Sequence, residues 1–71
     1  MGLFAKKVLE YQQKKLIEAE SNLQFHLIKK AQLKVIVGSD KEIVNEEKMI
    51  KIWSTNIEKI KLEIDKIKKK N

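Results

Sequence analysis

Residues 50–67 read IKIWSTNIEKIKLEIDKI, and the placing of the apolar residues in this stretch decides the fold. Ile50, Trp53, Ile57, Ile60, Ile64 and Ile67 recur in alternating steps of three and four. That rhythm keeps one stripe of an α-helix turned toward a partner helix. It is a packing signal, and no stretch of the 71 residues carries a comparable signal for chemistry.

Upstream, Ile43 extends the ladder by one heptad, with Glu46 interrupting it, while Val44, Ile52 and Leu62 lie off the stripe. The sequence Gly38-Ser39-Asp40-Lys41-Glu42 marks where this helix begins. Ser39 followed three residues later by Glu42 has the form of a capping box, in which hydroxyl and carboxylate each satisfy the other residue's backbone amide. Asp40 and Glu42 also favour the positive end of the helix dipole, and lysines crowd its other end. The second helix is predicted over about 40–69.

Gly38, the only interior glycine, stands where a helix C-terminus commonly takes a left-handed residue. Before it, from Leu3 to Val37, the chain has neither Pro nor Gly and is rich in Leu, Lys, Glu, Gln and Ala. A first helix is predicted over about 3–37, with Val35-Ile36-Val37 as its last turn, packed at the hairpin end. Val8, Leu9, Leu16, Ala19, Leu23, Leu27 and Ala31 fall on one side, and the step from Leu23 through Leu27 to Ala31 reads as a stutter in the heptad. Phe4, Tyr11, Phe25, Leu33 and Ile36 fall elsewhere and form a candidate partner face.

Two helices of near-equal length with a tight turn at Gly38-Ser39 give an all-α, antiparallel hairpin, one domain over 1–71 with 68–71 as a frayed basic tail. Its expected core is Leu9, Leu16, Leu23 and Leu27 against Ile50, Trp53, Ile57, Ile60, Ile64 and Ile67. A chain this short rarely stabilises itself from one small core, and with no Cys and one His it has neither disulfide nor zinc to help. Oligomerisation, or a partner that completes a four-helix bundle, is the remaining route.

The same inventory argues against catalysis. His26 has no second His or Cys near it, Glu46 and Glu47 are adjacent rather than one turn apart, and two glycines cannot cradle a phosphate. No catalytic residue, cofactor or metal is expected, and the chain is read as not an enzyme. All 16 basic residues are Lys against 10 acidic ones, for a net charge of +6. Without Arg, any nucleic-acid contact would be nonspecific and salt-sensitive. Its candidate residues are Lys59, Lys61, Lys66, Lys68, Lys69 and Lys70. There is no signal-peptide pattern and no apolar run of membrane-spanning length, so a cytoplasmic location is expected. A membrane surface is not an expected partner.

The Gly38-Ser39-Asp40 turn near mid-chain, with Trp53 in the helix that follows, resembles the layout of the small co-chaperones of type III secretion needle subunits. The hairpin outline is also similar to the plasmid-copy-control RNA-binding hairpin that dimerises into a four-helix bundle. Both likenesses cover the whole chain in outline and few specific residues. The first implies a protein-binding chaperone, the second an RNA-binding dimer. The reading from the residues themselves is a noncatalytic protein–protein interaction module, an adaptor, chaperone or assembly factor. It would work as a homo-oligomer, with a dimer favoured, or with one protein partner; a Lys-rich nucleic-acid-binding dimer is the alternative.

Overall fold

The computed structural model describes residues 2–69 and contains two helices, α1 over Leu3–Leu33 and α2 over Asp40–Lys69. They run antiparallel in a hairpin whose Cα extents are 55 × 14 × 11 Å. Neither helix contains Pro or Gly, and no strand occurs among the described residues. The charge pattern of α2 suits its dipole, with Asp40 and Glu42 in the first turn and Lys66, Lys68 and Lys69 in the last. The start of α1 is weaker: Gly2 stands at its N-cap without a side-chain hydrogen bond, and the first turn has no acidic residue.

α1 ends four residues earlier than the sequence predicts. A helix continued to Val37 would leave only Gly38 and Ser39 to reverse the chain and cross the ~8–10 Å between helix axes. Residues 34–39 make that crossing instead. The amide of Ile36 donates to the Leu33 carbonyl at 3.0 Å, and Gly38 takes the left-handed conformation with φ 84°. Gly38 therefore bends the exit of the connection and is not the helix C-cap. Val35, Ile36 and Val37 are exposed rather than packed, and Val37 is fully so.

Ser39 departs from the capping-box expectation as well. Its hydroxyl lies 2.6 Å from the Leu33 carbonyl oxygen and 2.8 Å from that of Ile36, so it donates backward, and no hydrogen bond joins it to Glu42 among the described residues. Its own carbonyl accepts from the Ile43 amide at 3.0 Å as the first bond of α2. One buried serine thus ties the end of one helix to the start of the next.

The seam of α1 has no stutter. Leu9, Gln12, Leu16, Ala19, Leu23, His26, Lys30 and Leu33 are all buried or half-buried, in unbroken steps of three and four. Three of these eight are polar, which is why an apolar-only pattern slips onto Leu27 and Ala31. Leu27 is 41% exposed and does not belong to the hairpin core. Leu33, assigned by sequence to an outer face, is half-buried at the seam's turn-proximal end.

The buried apolar core consists of Ala19, Ile57, Ile60 and Ile64, with Leu9, Leu16, Leu23 and Trp53 partly buried against it. This is the half of the hairpin away from the turn. Ala19, 2% exposed, is small where the partner helix brings the bulk of Trp53 to the same cluster. The half near the turn is organised differently, around charge.

Candidate functional site

That turn-proximal layer is built on Glu46. The break in the apolar ladder is a seam position, and the heptad of α2 turns its carboxylate toward α1, where only 6% of the residue stays exposed. Across the seam, the heptad of α1 presents His26. The His26 Nδ1 and Glu46 Oε2 are 2.5 Å apart, and Lys29 Nζ, one residue on, lies 3.2 Å from Glu46 Oε1. Both carboxylate oxygens are thereby engaged. Lys30 reaches Glu47 at 3.2 Å along the opposite edge of the seam.

The hydrogen bond with His26 holds the Glu46 carboxyl below its ordinary value of 4.5. Desolvation acts in the opposite sense, and the hydrogen bond and charge of Lys29 add to the lowering. A carboxylate held ionised and occupied at both oxygens is a poor proton shuttle, and its neighbours are an imidazole and an ammonium group rather than a nucleophile. Among the described residues no group of three or more His, Cys, Asp or Glu side chains is placed to hold a metal ion. The cluster is a polar layer that joins the two helices across the seam.

Trp53 lies at the other end of this seam region. Its ring packs on the apolar cluster while its Nε1 is buried with no hydrogen-bond partner among the described residues. Ile57, Ile60 and Ile64 of the expected core are buried, and Leu9, Leu16, Leu23, Ile50 and Ile67 are half-buried.

The outer faces carry the remaining sequence candidates. Phe4, Tyr11 and Phe25 sit at multiples of seven residues on one line of α1, each more than half exposed. Lys15 Nζ lies 5.5 Å from the centroid of the Tyr11 ring, and the Phe25 ring meets His26 edge to face at 5.2 Å. Ile36 belongs to the connection and not to this line. Lys59, Lys61, Lys66, Lys68 and Lys69 are exposed along α2, the last two within its final turn; Lys70 lies outside the described residues.

One edge of the seam carries apolar residues among charged ones. Leu9, Leu16 and Leu27 follow each other by seven and eleven residues and so share one edge of α1, with Glu20 between the last two; the same edge of α2 carries Ile43 and Ile50, followed by Lys61 and Lys68. The Lys30–Glu47 pair lies along this edge, whereas Lys29 reaches Glu46 from the other. Sequence reasoning found the leucines but missed the role of His26 and Glu46. The signal was their heptad position, visible only when polar residues are allowed in the seam.

No family model matches the chain, and comparisons with curated proteins and with solved structures find no match either.

Proposed function

We propose that this chain is a noncatalytic interaction module that completes its core by pairing with a second copy of itself, and serves in that form as an adaptor, chaperone or assembly factor. The observation that carries the reading is the imbalance of the hairpin. Four apolar residues are buried among those described, whereas thirteen large hydrophobic side chains are exposed. Two helices side by side cover one stripe each and leave the flanks to water, and a second pair of helices is the usual way such flanks are covered.

The edge bearing Leu9, Leu16, Leu27, Ile43 and Ile50 is the contact this reading assigns. It is continuous with the existing seam, so a facing copy would extend the same core. Light scattering of the purified chain tests this directly. A dimer is expected, and Leu27→Asp is expected to give a monomer with a lower melting temperature. A monomer that melts cooperatively at micromolar concentration overturns the reading. Affinity capture from the native extract, sized in the same way, distinguishes a homodimer from a complex with another protein.

A further inference from the structure

The back of α2 carries a surface that the hairpin and its proposed pairing leave unused. Positions 41, 44, 48, 52, 55, 59, 62, 66 and 69 follow each other in steps of three and four on the side opposite the isoleucine ladder. All are exposed. Five of these nine positions are lysines, namely Lys41, Lys48, Lys59, Lys66 and Lys69, and none is acidic. Beside the row Lys51 is followed at heptad spacing by Glu58 and Asp65, so the excess of positive charge is confined to the row itself. Lys66 meets Glu63 at its border at 3.6 Å; the other four make no ion pair among the described residues.

We infer that this face of α2 docks on the anionic surface of a lipid bilayer. Charge complementarity calls for a polyanion, and two further features select a flat one with an apolar layer beneath its charges. The row is straight and runs ~42 Å from Lys41 to Lys69, at ~1.5 Å per residue. A planar headgroup layer meets it along its full length, while the backbone of a nucleic-acid duplex curves away from it. Between the lysines stand Val44, Ile52 and Leu62, each about half exposed. Against phosphates these three would bury nothing. At a bilayer interface they enter the boundary of the acyl chains while the lysine stems lie along it and keep their ammonium groups among the headgroups. The face also has no aromatic residue on which bases stack and no Arg.

The residues concerned differ from those of the pairing edge and point away from it, so the two ideas fail separately. Cosedimentation of the full chain with vesicles of phosphatidylcholine alone, and of phosphatidylcholine with phosphatidylserine, tests the docking. Binding to the second and not the first is expected. Each lysine near an anionic surface contributes about fivefold in affinity, so the combined variant Lys41→Gln, Lys48→Gln, Lys59→Gln and Lys66→Gln is expected to lose binding. Lys6→Gln, Lys7→Gln, Lys14→Gln and Lys15→Gln on α1 remove the same charge and are expected to retain most of it. Ile52→Ser with Leu62→Ser is expected to weaken binding severalfold at constant charge. Circular dichroism checks that every variant keeps its helix content. Equal binding to both vesicles, no binding to either, or equal loss from the α1 and α2 lysine variants overturns the proposal. Tighter retention on mixed RNA than on vesicles, insensitive to Ile52→Ser with Leu62→Ser, also overturns it and assigns the face to nucleic acid.

Discussion

Glu46 and Trp53 test the seam at the scale of single residues, because each is a polar exception in an apolar stripe. The folded chain holds Glu46 ionised below its ordinary value of 4.5, so folded Glu46 binds a proton less tightly than the unfolded chain does. Its contribution to stability is therefore present above about pH 4.5 and is lost as pH falls through the lowered folded value. Thermal melts of the wild type are expected to drop across that acid window, and Glu46→Gln is expected to flatten the drop. Glu46→Leu alone leaves His26 and Lys29 facing an apolar group and is expected to lower the melting temperature. His26→Leu with Glu46→Leu removes both partners, and is expected to recover or exceed the wild-type value. For Trp53, the buried Nε1 without a partner implies that the ring matters and the N–H does not. Trp53→Phe is expected within about 1 kcal/mol of wild type in chemical denaturation, and Trp53→Ala to cost about 3 kcal/mol. A large loss in Trp53→Phe would show that the indole N–H has a partner after all.

At the scale of elements, the connection at 34–39 separates what the sequence showed from what it hid. Existence and direction of both helices, and the bounds of α2, were legible, because the Ile50–Ile67 ladder, the absence of Pro and Gly inside the helices, and the acidic start of α2 all act locally. The end of α1 was not, since it depends on the distance the chain must cross to reach α2, and no residue near Leu33 announces it. The unbroken heptad of α1 was hidden by the polarity of Gln12, His26 and Lys30, whose burial depends on the opposite helix, as the pairs His26–Glu46 and Lys30–Glu47 show. The connection itself makes graded predictions, checked by chemical denaturation. Gly38→Ala strains a left-handed backbone and is expected to cost about 1 kcal/mol. Ser39→Ala strips the donor from two carbonyls and is expected to cost about 1–2 kcal/mol. Val37→Lys, at a fully exposed position, is expected to change stability by no more than about 0.5 kcal/mol. A marked loss in Val37→Lys would mean that the apolar run 35–37 is covered in solution. The aromatic line of α1 is tested by Tyr11→Asp with Phe25→Asp; if every association state and captured partner survives the pair, the line is ordinary surface.

For the whole molecule, thinness is the governing property. With Cα extents of 14 × 11 Å across its length, the hairpin is one layer thick, and among the described residues no large side chain is fully buried. A fold of this section gains little from making its own seam more regular; it gains from a second layer. If pairing along Leu9, Leu16, Leu27, Ile43 and Ile50 supplies that layer, folding and association are one equilibrium, and the melting temperature rises with protein concentration. Leu27→Asp should lower the melting temperature and remove its dependence on concentration, whereas Ile57→Ala, inside the hairpin's own core, should lower it while leaving the dependence in place. Added salt separates the pairing from the charged back of α2: contacts between the apolar residues of the edge should hold at high ionic strength, whereas docking through the five lysines of the row should weaken. A melting temperature independent of concentration in the wild type would mean that the hairpin stands alone on the four apolar residues buried among those described, and the open edge would then have to be explained as surface.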